Sequence, residues 1–302
     1  MSYKERLKER AFVVGREDLR QNEIPSVSVW GETLPEAWET AVLATLEFGA
    51  SIPTEYDQEV DPESKDVSMM LTIAHPLEEP RIHRAFPCGL DDLEIYVQEV
   101  VDGVHDSWVK DEGWSYSYHD RLYNWPGIGS EFELPHIDQI DTLVRKLSVA
   151  PHSRRAQATT WVPPVDAEHH EPPCLQRIWC RVVKSEKDLH LLQMNTHWRS
   201  RDAFKAAFMN MYAFIELQKK MAEKISKISG KRVEVGRYVD ISDSFHIYGS
   251  YLRKGETDHF LATVEKRSFA DRVWRSDNSM VQEQFEGGRK RLNEEKAQLD
   301  RE

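Results

Sequence analysis

One cysteine in this sequence lies in a rigid setting that suits a nucleophile. Cys174 follows Pro172 and Pro173 in HEPPCLQRIWC and precedes a stretch that is typical of a strand. The two prolines restrict the backbone and remove two amide donors, so the thiol is held at the mouth of that strand. A nearby guanidinium could make it a reactive thiolate. The alternative is a space-filling role, because unpaired cysteines usually behave as small hydrophobes.

The stretch HWRSRDAFKAAFMN could supply the cation that Cys174 would need. Arg199 ends a predicted strand that hairpins back beside the strand after Cys174, and Ser200 adds a hydroxyl group. Asp202 stands where a helix N-cap would be, and Asn210 lies about two turns into a helix predicted to be buried. A buried amide must be hydrogen-bonded, either within the protein or by a ligand that offers a donor and an acceptor.

Two further stretches carry groups that bind phosphate or sugar hydroxyls. Arg154 and Arg155 in SRRAQATTW can reach one ligand only from the loop before a strand, since neighbours on a strand face opposite sides. Guanidinium groups suit phosphate, although arginines are also common on surfaces. His246 and Tyr248 in DSFHIYGSY share one strand face, where they could hold a sugar hydroxyl or be half-buried polar residues. A nucleoside monophosphate would use all of these groups.

The composition argues against several classes of function. The 302 residues are 40% hydrophobic and 30% charged with a net charge of -12, which argues against a general nucleic-acid binder. No apolar run approaches the roughly 20 residues of a membrane span, and the start MSYKERLKER lacks the apolar stretch of a signal peptide. Cys88, Cys174 and Cys180 do not form a disulfide framework, so a cytoplasmic location is predicted. No metal site is indicated.

The hydrophobic pattern predicts one α+β domain over residues 1–276 and a charged tail over 277–302 that is a solvated helix or frayed. Residues 113–136, rich in aromatic residues, glycine and proline, are predicted to be irregular. The predicted helices cover residues 34–49, 90–104, 136–150 and about 201–228, the last one buried. The predicted strands cover residues 67–76, 157–163, 175–183, 188–198 and 233–252.

Taken in order, these motifs resemble those of the folate-dependent thymidylate synthases. The resemblance rests on SRRA…W, PPC, RSxD followed eight residues later by Asn, and HIY. Each motif is short, but four in order with nearly matching spacings form a specific pattern. The pattern covers residues 148–252, extends more weakly back to about residue 65, and is closest in style to divergent archaeal members. It implies a thymidylate synthase-like fold with a mixed central sheet, a buried long helix, and a homodimer packed sheet to sheet.

The resemblance also implies a reaction. Such an enzyme methylates dUMP at C5 to give dTMP, with 5,10-methylene-tetrahydrofolate or a tetrahydropterin analogue as the donor of the one-carbon unit and of hydride. Cys174 would attack C6 of the pyrimidine and make C5 nucleophilic. Asn210 would read N3 and O4 of uracil. Glu99 would manage proton transfers, with Glu94 in the same helix as the other candidate for this glutamate.

The same resemblance implies the binding roles. Arg199 and Ser200 would contact the phosphate, Arg199 would also contact the thiol, and His246 and Tyr248 would hold the ribose 3'-hydroxyl. Asp202 would bind the pterin.

The remaining implied roles concern the cofactor and a second subunit. Trp108 and Tyr118 would match aromatic positions of the family's cofactor site. Arg154 and Arg155 would reach the phosphate in the partner subunit's active site, which makes the enzyme an obligate homodimer.

The sequence departs from the family pattern at three places. Leu175 stands where the family usually has histidine, Met209 replaces the usual phenylalanine before Asn210, and NEEKAQLDRE replaces the apolar C-terminus that closes over the folate. A 5-hydroxymethylase acting on dUMP, dCMP or CMP, with water as the final reagent, is therefore the alternative. Asn210 favours uracil, since relatives that act on cytosine tend to have aspartate there. A catalytically silent nucleotide- or RNA-binding protein of the same fold is a third hypothesis.

Overall fold

The computed structural model describes residues 3–14, 23–128, 135–186 and 188–299. The chain forms two compact units, each built from three separate segments. Unit 1 comprises residues 1–87, 198–210 and 238–278, and unit 2 comprises residues 88–197, 211–237 and 279–302. The division of the chain into one catalytic domain over 1–276 and a tail over 277–302 stays a prediction.

The helices of the described residues are numbered in chain order. They are α1 (Tyr3–Arg10), α2 (Leu34–Phe48), α3 (Leu90–Asp102), α4 (Trp108–Asp111), α5 (Tyr118–Tyr123), α6 (Gln139–Val149), α7 (Pro163–Asp166), α8 (Ala207–Ser229), α9 (Gly249–Arg253), α10 (Glu256–Lys266) and α11 (Ser279–Leu299). None of the described helices combines the length and the apolar character that a membrane-spanning helix requires.

The strands are numbered in the same way. They are β1 (Ala11–Val14), β2 (Ser26–Gly31), β3 (Ala50–Ile52), β4 (Ser64–Ile73), β5 (Ile82–His83), β6 (Gln157–Thr159), β7 (Leu175–Lys184), β8 (Leu189–Trp198), β9 (Arg201–Asp202), β10 (Arg232–Ile247) and β11 (Val273–Trp274).

Unit 1 contains a mixed sheet in the order β1-β2-β4-β10, with β3 on β4 and β9 on β10. The pairs β2–β4 and β9–β10 are parallel, and the β1–β2, β3–β4 and β4–β10 pairs are antiparallel. Every second residue of β4 from Val67 to Ile73 is buried, as period-two patterning requires. Helix α2 is close to this sheet at Gly31, where a Cβ atom would lie 2.6 Å from the backbone nitrogen of Ala37.

Unit 2 contains strands in the order β10-β8-β7-β6, together with most of α8. The first part of α8 is almost wholly buried, including Met211, Phe214 and Leu217, so it is a core helix rather than a surface helix. Its one buried glutamine is held to the neighbouring backbone, since Gln218 Nε2 donates to Leu192 O at 2.7 Å. The buried long helix predicted from the sequence is therefore confirmed.

Helix α11 packs along α3 within unit 2. Its buried residues are Val281, Phe285, Gly288 and Leu292, and the aliphatic and aromatic ones share one face at helical spacing. The helices come close at Gly288, where a Cβ atom would lie 2.6 Å from the carbonyl oxygen of Asp91. The charged 279–299 segment is thus a packed helix rather than a solvated one.

Most predicted elements are confirmed to within a few residues, and two predictions besides that of a solvated tail are wrong. The long helix begins at Ala207 rather than near Arg201, because Arg201 and Asp202 pair with β10 as a parallel strand. Asp202 is consequently not the N-cap of α8, although its Oδ1 accepts hydrogen bonds from the amides of Phe204 and Lys205 at 2.9 Å.

The stretch 113–136, predicted to be irregular, contains helix α5. Its N-cap is Ser117, whose hydroxyl accepts a hydrogen bond from the amide of Asp120 at 3.3 Å, so a local cap outweighed the loop-like composition. Residues 129–134 of this stretch lie outside the described residues.

Candidate active site

Cys174 lies immediately before β7, at the mouth of the strand, and is half-buried. The backbone on both sides is held by side chains. The Thr160 hydroxyl donates to the carbonyl of Leu175, and Gln176 Nε2 donates to the carbonyl of Pro173 at 3.1 Å. Cys180 in the same strand is fully buried, and burial raises the pKa of its thiol to about 12. Of these two thiols, Cys174 is therefore the one suited to nucleophilic chemistry.

An aromatic pocket of about 240 Å³ lies in unit 2. Tyr118 on its wall is half-buried, and burial raises the pKa of its phenol well above the usual range. The nearby Tyr116, Cys174 and Tyr96 raise it further, which puts the sulfur of Cys174 within electrostatic range of the Tyr118 hydroxyl. The pocket is lined by Tyr96, Glu99, Val100, His105, Trp114, Tyr116, Ser117 and Tyr118.

Glu99 supplies a carboxylate to this pocket from the last turn of α3. The helix ends at Gly103, whose φ of 67° reverses the chain in a conformation that suits glycine. This reversal brings His105 Nδ1 to 2.7 Å from Glu99 Oε1. Burial raises the pKa of Glu99, the hydrogen bond and charge of His105 lower it, and Glu295 raises it. A carboxyl group with a raised pKa is suited to accept and return protons near neutral pH.

The two glutamates that the sequence left as alternatives have different environments. Glu94 lies five positions earlier on α3 than Glu99, and its Oε1 accepts hydrogen bonds from Arg289 Nε at 3.0 Å and from Gln98 Nε2 at 2.9 Å. Glu94 is not among the pocket residues, whereas Glu99 is. Glu94 therefore serves the contact between α3 and α11, whereas Glu99 brings its carboxylate to the pocket.

The two aromatic residues predicted for the cofactor site differ in their relation to the pocket. Tyr118 lines the pocket, whereas Trp108 stacks behind it on the ring of His105, with ring centres 3.7 Å apart. The indole on the pocket wall is instead Trp114, which meets Trp108 edge-on at 5.0 Å. Trp108 therefore packs against His105, the residue that is hydrogen-bonded to Glu99.

The adjacent arginines lie where the sequence analysis required, in the segment before β6, and both are exposed. This segment pairs with the far part of β7, because the amide of Cys180 bonds to the carbonyl of Ala156 and Trp179 Nε1 bonds to the carbonyl of Arg154. Arg155 is therefore about seven positions along β7 from Cys174, or roughly 20 Å at the rise of an extended strand. That distance exceeds the reach of an arginine side chain.

The other predicted residues belong to unit 1. Arg199 and Ser200 directly follow β8, and Asp202 of β9 is the register partner of His246 in β10. The rings of His246 and Tyr248 meet edge-on with centres 4.7 Å apart. The structure thus brings Asp202, His246 and Tyr248 into one cluster.

His246 is a buried imidazole that is only partly satisfied. Its Nδ1 is 3.1 Å from the hydroxyl of Ser244, while its Nε2 is buried and has no hydrogen-bond partner within the described part of the chain. Burial lowers the pKa of His246, and the charges of Asp202 and Asp66 oppose this effect. A neutral ring with one open nitrogen can bind a hydroxyl group of a ligand.

The two remaining polar side chains differ in what they can offer a ligand. Asn210 lies in the first turn of α8 and is 8% exposed. Asp202 already accepts the two amide hydrogen bonds noted above, and its Oδ2 accepts the Tyr251 hydroxyl at 2.7 Å. A carboxylate has about four acceptor positions, so Asp202 keeps little capacity for a pterin.

Sequence reasoning missed His105, which contacts Glu99, and Glu295, which contacts His105. Some signal for His105 was present, because Gly103 marks a chain reversal that returns the following residues toward the last turn of the helix. No such signal exists for Glu295, which is 190 positions away from His105 and meets its Nε2 at 3.3 Å. The described residues contain no group of three or more His, Cys, Asp or Glu side chains arranged to hold a metal ion.

The fold matches a solved enzyme structure. The thermostable thymidylate synthase A from Bacillus subtilis superposes on this chain with a TM-score of 0.55 at 18% identity, covering 78% of this chain and 86% of that chain. The predicted α+β, thymidylate synthase-like fold is therefore confirmed. Because the identity is low, this likeness concerns the fold alone.

The sequence model of the thymidylate synthase family matches residues 91–300. The chain therefore belongs to the thymidylate synthase family and is an enzyme of the one-carbon transferase class.

Three archaeal relatives named "Putative thymidylate synthase" show the same kinship. The protein of Methanosarcina mazei is 29% identical over 72% of this chain and 87% of its own length, and that of Methanosarcina barkeri is 29% identical over 73% and 88%. The protein of Methanocaldococcus jannaschii is 28% identical over 74% and 88%. The archaeal style inferred from the motifs agrees with these relatives.

Proposed function

We propose that this enzyme converts dUMP to dTMP with 5,10-methylene-tetrahydrofolate, through a covalent bond between Cys174 and C6 of the pyrimidine. The observation that carries the proposal is the position of Cys174 in a member of the thymidylate synthase family. The thiol is half-buried at the start of β7 and lies within electrostatic range of Tyr118. Tyr118 lines the pocket into which Glu99 brings a carboxylate.

The nucleotide-binding part of the proposal rests on polar groups that suit a nucleoside monophosphate. Arg199 and Ser200 bind the phosphate, since guanidinium and hydroxyl groups complement its oxygens. His246 and Tyr248 bind the ribose 3'-hydroxyl, which would satisfy the open Nε2 atom of His246. The buried amide of Asn210 reads the acceptor and donor edge of uracil.

The pocket residues also fit the cofactor. Tyr96, Trp114 and Tyr118 offer aromatic surfaces to a flat pterin ring. Asp202 is not one of the pocket residues, and its proposed pterin contact rests on the family resemblance and on its remaining acceptor capacity. When bound, methylene-tetrahydrofolate supplies the one-carbon unit and a hydride. Cys174 binds and activates the pyrimidine, and Glu99 holds and moves protons.

The positions of Arg154 and Arg155 support a homodimer with shared active sites. Both guanidinium groups are exposed, and the strand register puts them roughly 20 Å along β7 from the thiol of their own chain. They can therefore contact a nucleotide beside a Cys174 only if that cysteine belongs to a second copy. We propose that each subunit donates this pair to its partner, and that the enzyme works in the cytoplasm.

A 5-hydroxymethylase is the second candidate, and Leu175 favours it. The side chain after the nucleophile is fully buried in the strand and cannot donate a hydrogen bond. The histidine that usually follows the nucleophile in the resembled family influences the environment of pyrimidine O4. In hydroxymethylation, water completes the reaction in place of hydride, while Cys174 and Glu99 keep their roles.

Product analysis tests both reactions. The protein is incubated with methylene-tetrahydrofolate and with each of dUMP, UMP, dCMP and CMP, and the products are weighed. Methylation adds CH₂ to dUMP and releases dihydrofolate, whereas hydroxymethylation adds CH₂O and leaves tetrahydrofolate. A nucleotide-binding protein without activity would leave all four substrates unchanged.

Trapping with fluorodeoxyuridylate then tests Cys174. We expect a covalent adduct with the wild type and with Cys88→Ser, which removes another half-buried thiol, and no adduct with Cys174→Ala. An adduct that persists in Cys174→Ala would refute the proposed nucleophile.

A further inference from the structure

The carboxylate of Glu99 is the near end of a chain of three side chains in unit 2. His105 Nδ1 is 2.7 Å from Glu99 Oε1, and His105 Nε2 is 3.3 Å from Glu295 Oε2. The imidazole is buried, with only 8% of its side chain exposed, while Glu295 on α11 is 37% exposed. One buried ring therefore connects the pocket with the surface of the C-terminal helix.

The imidazole is fixed in orientation by more than its two hydrogen bonds. Trp108 stacks on it with an interplanar angle of 15°, and Trp114 meets it edge-on at 6.0 Å. A ring held on its face and at both nitrogens has a single orientation available. The imidazole of His105 can therefore hold the carboxylate of Glu99 in one position.

The position of Glu295 is set by the contact between α11 and α3. Arg289 Nε bonds to Glu94 at 3.0 Å and Arg291 Nη1 bonds to Asp91 at 2.9 Å. Arg291 also bonds to Asp92. These pairs fix the register of α11 along α3, and Glu295 follows Arg291 by one helical turn on the same side.

We propose that His105 is a positioning residue that orients Glu99 for proton transfer, and that Glu295 holds His105 in place from α11. This inference rests on the proposed function, because it assigns the proton-transfer role to Glu99. It gives the charged C-terminal helix a part in the reaction. The helix acts through a carboxylate and an imidazole rather than through an apolar segment that covers the cofactor.

The charged and titratable groups around Glu99 determine the direction in which its pKa is shifted. Tyr96 lies on its own helix, His105 on the turn after it, Glu295 on α11, and Tyr116 and Tyr118 on the segment across the pocket. Burial raises the pKa of Glu99, and the hydrogen bond from His105 lowers it. Removal of the imidazole is therefore expected to raise this pKa further.

The first experiment follows the carboxyl carbon of Glu99 by NMR as the pH is changed, in full-length protein labelled with ¹³C-glutamate and assigned with Glu99→Gln. We expect His105→Gln to shift the Glu99 midpoint to higher pH, and Glu294→Gln to leave it unchanged. Glu294 is exposed on α11 beside Glu295, so Glu294→Gln also controls for the loss of one negative charge in Glu295→Gln. An unchanged midpoint in His105→Gln would overturn the inference.

The second experiment compares kcat and KM in a double-mutant cycle. We expect His105→Gln to lower kcat by about 10-fold with little change in KM for dUMP, since misorientation of a proton-transfer group affects the chemical step. Glu295→Gln should lower kcat less, and should have no further effect in the His105→Gln background. Full activity of Glu295→Gln, or independent losses in the two variants, would overturn the role of Glu295.

The two experiments separate this inference from the proposed function. The NMR titration needs no substrate, so it decides the role of His105 even in a protein that leaves dUMP unchanged. Glu295 is partly exposed, so Glu295→Gln is expected to fold even where His105→Gln does not. In that case the titration midpoint of Glu99 is compared between Glu295→Gln and Glu294→Gln. Equal midpoints in these two variants would overturn the proposed network.

Discussion

At the scale of single residues, the buried imidazole of His246, which we propose binds the ribose hydroxyl, makes the stability of the fold depend on pH. Its ring is 6% exposed, beside Asp202 and Tyr248. Burial lowers its pKa, so the folded protein binds this proton less readily than the unfolded chain. By linkage, the stability associated with neutral His246 is present above the unfolded pKa of about 6.5 and is lost as the pH falls through the folded value.

We therefore expect the thermal stability of the wild type to fall as the solution is acidified below neutrality, and His246→Gln to lose less over the same range. The measurement is Tm against pH by calorimetry. His152→Gln is the matched control, because His152 is exposed. If His246→Gln and wild type show parallel curves, the titration of His246 does not contribute to stability in this range.

At the scale of elements, the contact between α3 and α11 depends on one small residue. Two glycines stand side by side in α11, and they differ in their surroundings. A Cβ atom at Gly287 would meet nothing within 4 Å, whereas one at Gly288 would lie 2.6 Å from the carbonyl oxygen of Asp91. Glycine in a helix is otherwise unfavourable relative to alanine, so Gly288 is explained by the close approach of the two helices.

Alanine substitutions at these positions should therefore have opposite signs. Gly287→Ala is expected to stabilise the protein by up to about 1 kcal/mol through helix propensity. Gly288→Ala is expected to destabilise it by about 1–3 kcal/mol, because the backbone of α3 has to move. Urea denaturation of both variants measures the difference, and equal effects would mean that the close approach at Asp91 is relaxed in solution.

At the scale of the whole molecule, one face of the unit 1 sheet carries exposed apolar side chains. Phe12 is the register partner of Ser28, and Ser28 is the partner of Met70, so all three project from the same face. Trp30 lies two positions beyond Ser28 and shares this face. Phe12, Trp30 and Met70 are 69%, 39% and 46% exposed. Such a patch is typical of a surface that packs against another protein chain, and the proposed donation of Arg154 and Arg155 requires a second copy.

We expect Met70→Lys to convert the proposed homodimer into monomers and to lower activity strongly, since a lysine charge would be buried in the interface. Val149→Lys is the control, because Val149 is the most exposed large hydrophobic among the described residues, at 87%, and lies on α6. Light scattering after size exclusion gives the mass of each variant. A wild type with the mass of one chain would contradict the shared active sites, and a dimeric Met70→Lys would contradict this face.

The sequence by itself determined the elements and the order of the motifs, because both depend on short-range patterns. Alternation of apolar residues marks β7 and the buried face of β4, and the spacing of PPC, RSxD and HIY identifies the family. The wrong predictions arose where a contact in the folded chain outweighed the local sequence pattern. The segment 201–206 has helical composition, but Arg201 and Asp202 pair with β10, and such pairing leaves no periodic signal in the paired dipeptide.

The tertiary structure alone decided which residues act on one another across the chain. It separated Glu99 from Glu94 by giving Glu94 to Arg289, and it joined Glu99 to Glu295 through His105. It also set Arg155 far along β7 from the thiol. These contacts join positions up to about two hundred residues apart, and their energies depend on distance and burial rather than on neighbours in the chain. Apart from the chain reversal at Gly103, no pattern in the sequence encodes them, so they appear only when the chain is folded.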